Sequence, residues 1–158
     1  DARAAARWKL YIIGGESYYR SSITGFYNYG GITTVEVYLI KAECLARTGK
    51  VAEAMDIVNK VREKRVLHDH YQPLTAATEA EAMPIIIQLK GNELILTQIP
   101  FNDARRLNAE GKYPVTRTKV VDGNTITLSP TSHLWTMPFP QGAVENPGNG
   151  TITQNVSR

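Results

Sequence analysis

The sequence predicts a mainly α fold: a tetratricopeptide-like helical hairpin, a long kinked helix, a small β-hairpin and an extended loop-rich tail. Three observations carry this expectation. Two amphipathic stretches, split by Gly49, run from Glu36 to Val66. A capping signature at Thr78 opens a third stretch with helical spacing. Beyond Leu128, prolines and glycines recur too often for a long helix.

The first thirty-two residues hold seven aromatic rings: Trp8, Tyr11, Tyr18, Tyr19, Phe26, Tyr27 and Tyr29. Glycines punctuate them at Gly14–Gly15, Gly25 and Gly30–Gly31. Lys9–Ile13 reads as a short strand and the rest as loop. Rings on such loops serve as stacking platforms for sugars, or as core plugs and turn anchors. As ligand-binding candidates the segment offers Trp8, Tyr18, Tyr19, Tyr27 and Tyr29, with Arg20, Ser21, Ser22 and Asn28 between them. In an extended backbone the adjacent Tyr18 and Tyr19 cannot both face one way, so at least one is expected to pack inside.

Residues 33–66 form the helical-repeat hairpin, with Thr33 or Thr34 as N-cap. Val37, Ile40, Ala42, Leu45 and Ala46 mark one apolar stripe; Ala54, Ile57, Val58 and Val61 mark a second. Both follow the three-and-four spacing of a helix face. Gly49 ends the first helix, because glycine tolerates the left-handed conformation found there. The short turn makes the helices antiparallel, and Ala42, Ala46 and Ala54 permit close approach. Glu36 and Glu43 on the first helix are then placed to meet Arg62 and Arg65 on the second. Cys44 reads as a small buried apolar residue.

Residues 67–78 are a polar connection containing Pro73 and His68–Asp69–His70. That triplet lacks a fourth ligand at metal-site spacing. Thr78 and Glu81 make a capping box, and Pro84 falls near the first turn, where proline is tolerated. The helix is expected to run over about Glu79–Gln98 and to break or kink at Pro100. A short helix follows at about Phe101–Asn108, stopped by Gly111. Val115–Val121 and Thr125–Leu128 are β-rich, with a turn signal at Asp122–Gly123–Asn124. The tail carries Trp135, Met137–Pro138–Phe139–Pro140, Asn146–Pro147 and Gln154–Asn155.

At 158 residues the chain suffices for one domain with a core, spanning 1–158. A net charge of +3, with basic residues scattered or at helix ends, gives no continuous basic face and argues against a nucleic-acid partner. One cysteine excludes an intrachain disulfide. No run approaches the ~20 apolar residues of a membrane span. The opening at Asp1 reads as a piece of a longer protein.

Catalytic signatures are missing: there is no nucleophile elbow, phosphate loop or zinc-helix motif. Glu93 and Asp103 flank the Pro100 break. They are read as structural, with Asp103 fixing the kink, because paired glycosidase carboxylates need a set separation across one pocket. No cofactor and no metal is expected.

Taken in order, these segments resemble the C-terminal region of the SusD/RagB family. TTVEVYLIKAECLARTGKVAEAMDIVNKVREKR is similar to the family's helical repeat through Glu36, Tyr38, Leu39, Ala42, Glu43, Gly49, Ala54, Asn59, Arg62 and Arg65. Asn92–Leu107 is similar to the next segment through Glu93, Leu94, Asp103 and Arg105 or Arg106. Pro138–Phe139–Pro140, Asn146–Pro147 and Gln154–Asn155 match its closing pattern, and Asp1–Arg3 resembles its opening. Departures stand at Ala2, Asn92, Thr97–Gln98, Pro100 and Val156.

The resemblance implies a non-catalytic surface protein that captures glycans or other nutrients for a TonB-dependent, SusC-like outer-membrane transporter. It implies a Bacteroidetes outer-membrane lipoprotein of a polysaccharide-utilisation system, anchored through an N-terminal part outside this chain. Cys44, inside a helix, is not the lipid-bearing cysteine. The alternative expectation is a tetratricopeptide-type protein-interaction module, which needs several hairpins at a period of ~34 residues.

Overall fold

A computed structural model describes residues 8–21, 31–95, 97–148 and 150–155. The chain is mainly α, and its contacts divide it into two units, split between Ile95 and Leu96.

The first unit opens with a β-hairpin. Strands β1 (Trp8–Ile13) and β2 (Glu16–Ser21) pair antiparallel, from Trp8↔Ser21 to Ile13↔Glu16. Gly14 (φ 62°) and Gly15 (φ 85°) form the two-residue link, and both take left-handed torsions. Such a turn matches the twist of the strands it joins. The strand expected at Lys9–Ile13 is present, whereas residues 16–21, expected as loop, form its partner. Strand β2 carries aromatics on both faces, so the polar–apolar alternation that betrays a half-buried strand is missing, and the Gly–Gly pair is the signal that remains.

Helix α1 (Thr34–Arg47) begins at Thr33, whose Oγ1 accepts the Glu36 N–H at 3.2 Å. It ends with Gly49 at φ 80°. There the Gly49 N–H donates to Ala46 O at 3.1 Å and the Lys50 N–H to Leu45 O at 2.9 Å, satisfying carbonyls the helix would otherwise leave open. Helix α2 (Val51–Glu63) packs on α1, and α3 (Glu79–Glu93) packs on both. The core joins Leu39, Ala42 and Ala46 of α1 with Ala54 and Val58 of α2 and Ala82, Met83 and Ile86 of α3, all fully buried.

The expected α1 stripe is shifted. Val37 and Ile40 are exposed, at 53% and 41%, while Glu36, Leu39, Ala42, Glu43 and Ala46 are buried. Helix α1 has apolar residues on two faces, and the face with the small alanines is the one neighbouring helices can approach. Cys44 shares the spacing of Val37 and Ile40, and it is exposed rather than buried.

Helix α3 starts as a capping box would, with Thr78 Oγ1 accepting the Glu81 N–H at 3.3 Å; the Glu81 carboxylate accepts from Ala77 N–H at 2.7 Å. It stops at Glu93, well short of Gln98. Pro84 lies inside it, past the first turn, with its ring on the exposed side. Pro100 kinks nothing. It sits in the first turn of a new helix, where the missing N–H has no partner to lose.

That helix, α4 (Ile99–Glu110), opens the second unit and is closed by Gly111 at φ 77°. Strands β3 (Arg117–Val121) and β4 (Asn124–Leu128) follow, joined by Asp122 and Gly123, both at positive φ. A 3-10 turn at His133–Trp135 and a short helix α5 (Gln141–Glu145) complete it. Trp135 is buried, stacks on Phe101 of α4 at 5.6 Å between ring centroids, and donates its indole N–H to Ser129 O at 2.7 Å. With Ala104 and Leu107 it makes the core of this unit.

Candidate functional site

The hairpin β1–β2 decides which of the proposed aromatic residues share a surface. Directly opposed residues of an antiparallel pair project to the same face, and neighbours along a strand to opposite faces. Tyr11 is opposite Tyr18, and Leu10 is opposite Tyr19. One face therefore carries Lys9, Tyr11, Ile13, Glu16 and Tyr18. The other carries Trp8, Leu10, Ile12, Ser17 and Tyr19.

Tyr18 and Tyr19 are thus separated, as alternation requires, but neither packs inside as expected, because both faces of the hairpin are open at these positions. Tyr18 is 48% exposed and donates its hydroxyl to Glu16 Oε2 at 2.9 Å; Tyr19 is 71% exposed. Trp8, half-buried, lies diagonally from Tyr19 on the same face. Tyr27 and Tyr29, with Ser22 and Asn28, lie outside the described residues. Tyr11 was not among the sequence candidates, yet it stands directly opposite Tyr18. The signal that finds it is the Gly14–Gly15 turn, which fixes the register.

The motif polar residues hold the scaffold. Arg65 Nε donates to Glu93 Oε2 at 3.0 Å, and the Glu93 side chain is only 4% exposed. Glu43 pairs with Arg47 on its own helix at 3.0 Å. The expected cross-helix pairing of Glu36 and Glu43 with Arg62 and Arg65 gives way to these contacts, because α3 supplies the carboxylate that Arg65 meets. Asp103 accepts from Arg106 at 3.3 Å, within α4.

Side-chain amides pin the loops. Asn59 accepts the Leu74 N–H at 2.9 Å and donates to Leu74 O at 2.8 Å, closing both hydrogen bonds of one backbone residue. Arg62 reinforces that loop through Gln72 O at 2.8 Å. Asn108 grips Val115 through N–H and C=O in the same way, which holds Val115 out of strand β3. Gln154 grips both backbone groups of Phe139 at 2.9 Å. Asn155 Nδ2 donates to His133 O and Thr136 O, each at 2.8 Å. Asn59, Asn108 and Gln154 each present a donor and an acceptor to one loop residue, as a strand neighbour would, whereas Asn155 uses its amide N–H donors on two carbonyls.

His68–Asp69–His70 forms an exposed 3-10 turn. Among the described residues, no group of three or more His, Cys, Asp or Glu side chains is arranged to hold a metal.

The family model described as SusD family matches residues 28–157. The chain belongs to the SusD family. Its members are generally nutrient- or carbohydrate-binding proteins associated with the outer membrane surface. No curated protein and no solved structure matches the chain. Within the matched span lie the helical hairpin and the closing Gln154–Asn155, so the amide clamps of the second unit fall inside the family pattern. The hairpin β1–β2 precedes it, as does Asp1–Arg3.

Proposed function

We propose that this SusD-family protein captures a glycan or related nutrient at the outer-membrane surface and hands it to a TonB-dependent, SusC-like transporter, without chemical change to the ligand. The observation that carries this reading is the family match over 28–157, which includes the capped helical hairpin and the clamped loops. Among the described residues no helix is long and apolar enough to cross a membrane, which suits a protein held at a membrane by other means.

Ligand contact is assigned to the aromatic segment at the start of the chain, which runs just into the matched span: Trp8, Tyr18, Tyr19, Tyr27 and Tyr29. Sugar rings present flat C–H faces edged by hydroxyls, and tyrosine presents a flat ring with a hydroxyl at its rim. The transporter is the expected protein partner, with this protein as its outer lid. A glycan array followed by calorimetry tests the first half of the reading. Copurification with the transporter tests the second. Absence of saturable binding to every glycan and peptide presented would remove the capture function.

A further inference from the structure

Two faces of one hairpin cannot stack the same ring, so the aromatic candidates divide, and they are not equivalent. On one face Tyr11 and Tyr18 are directly opposed in the register. Opposed side chains have Cβ atoms about 5 Å apart, so both rings project from the same face at adjacent positions, and both are exposed. Glu16 stands beside them, with Oε2 already accepting the Tyr18 hydroxyl at 2.9 Å. That bond fixes the Tyr18 ring before any ligand arrives, which lowers the ordering cost of binding. Glu16 retains further lone pairs, and a carboxylate is a strong acceptor. At the far end of the same face is Lys9, a donor. A hexopyranose needs this set: a flat apolar surface for its C–H face, with an acceptor and a donor at the edges for its hydroxyls and ring oxygen.

The opposite face has a different make-up. Trp8 and Tyr19 are set diagonally, Leu10 and Ile12 share their face, and the polar register positions there are Ser17 and Ser21. No carboxylate stands in that register, and among the described residues no hydrogen bond holds the Tyr19 hydroxyl.

We infer that the glycan-stacking surface of this protein is the Tyr11–Tyr18 face, with Tyr11 as a second stacking residue and Glu16 as the acceptor for a sugar hydroxyl. This rests on the glycan-capture reading above and narrows its aromatic set: Tyr11 joins Tyr18, Glu16 gains a hydrogen-bonding role, and Trp8 and Tyr19, on the other face, leave the stacking surface. The partner class is a hexopyranose chain with free hydroxyls at its edge.

The test uses the protein and a panel of soluble dextran, mannan, galactan, xylan and polygalacturonate, with affinity by calorimetry and melting temperature measured on every variant. Tyr11→Ala and Tyr18→Ala are expected to weaken the best wild-type ligand by about tenfold or more, the loss of one well-stacked ring. Tyr18→Phe should keep more affinity than Tyr18→Ala, because the ring remains. Glu16→Gln should weaken binding by a smaller factor, and together with Tyr18→Phe by little more than Glu16→Gln alone, since the two share one hydrogen bond. All of these are to be read at unchanged melting temperature; if Tyr11→Ala lowers it, Tyr11→Phe replaces it and should bind close to wild type. Tyr19→Ala weakening binding while Tyr11→Ala leaves it intact would place the ligand on the other face and overturn the inference, with glycan capture untouched. A wild-type protein that binds no member of the panel would remove the capture reading itself, and this inference with it.

Discussion

At the scale of single residues, this protein spends its polar side chains on backbone. Asn59, Asn108, Gln154 and Asn155 each close hydrogen bonds that a loop cannot close for itself. A half-buried peptide group left without a partner costs more than the bond is worth when made, so Asn59 and Asn108, whose bonds are part-buried, act mainly by preventing a penalty. Asn59→Ala opens both bonds to Leu74 and should cost roughly 1–3 kcal/mol in urea unfolding, with faster proteolysis within 67–78. Asn59→Asp keeps the acceptor for the Leu74 N–H and loses the donor, so it should fall between. Unchanged stability in Asn59→Ala would show that water replaces the clamp. Arg65 makes a different contribution. Its partner Glu93 is almost wholly buried, whereas Arg65 itself is one-quarter exposed. Arg65→Ala should therefore destabilise by roughly 1–3 kcal/mol, more than removal of the solvent-facing Lys50–Glu53 pair, whose exposed geometry is worth about 0–1 kcal/mol. If Lys50→Ala and Arg65→Ala unfold at the same urea concentration, the burial of Glu93 carries no energetic weight.

At the scale of elements, periodicity and punctuation governed what could be read. Caps and stops were legible because each rests on one local interaction: Thr33 and Thr78 accept their helix N–H groups, and Gly49 and Gly111 turn left-handed where the helices end. The buried face of α1 was not legible, because apolar residues occupy two faces and only α2 and α3 decide between them. The second strand of the first hairpin was missed for a related reason, since rings on both sides erase the period of two. Packing at the helix contact then gives a sharp expectation. Ala46 of α1 and Ala54 of α2 are both fully buried in the core of the three packed helices. Replacing either with leucine forces the backbones apart and should cost roughly 1–3 kcal/mol, whereas Ile40→Leu on the exposed face should be near neutral. A melting temperature unmoved by Ala46→Leu would mean that the interface has room. The hairpin turn offers a second element-scale test. Gly15 sits at φ 85°, which a β-branched residue adopts only under strain. Gly15→Val should loosen the strand pairing, seen as faster amide exchange at Tyr11 and Tyr18, while Gly14→Asn, a residue suited to this turn, should preserve protection.

At the scale of the whole molecule, family membership and a mainly helical scaffold were legible because several short segments recur in order, each weak alone. The proposed ligand surface was only half legible. Composition picks out the aromatic segment, but which rings share a face depends on a register that composition does not carry, so Tyr11 counts among the rings in the sequence without standing out as a ligand candidate. The same distinction bears on catalysis. Glycoside hydrolysis needs two carboxyl groups across one substrate, one of them free to exchange a proton. Glu93 is buried against Arg65, and Asp103 is engaged with Arg106 inside its own helix. Both carboxylates are committed to holding helices, which is a poor state for an acid or a base. The expected outcome is therefore binding without turnover: overnight incubation of the protein with the polysaccharide it binds best should release no new reducing ends, and the ligand should be recovered at its original chain length. Glu93→Gln and Asp103→Asn should change stability and leave that result as it is. Appearance of reducing ends that either substitution abolishes, in protein that still melts normally, would make one of these carboxylates a catalytic group and would end the reading of this protein as a carrier.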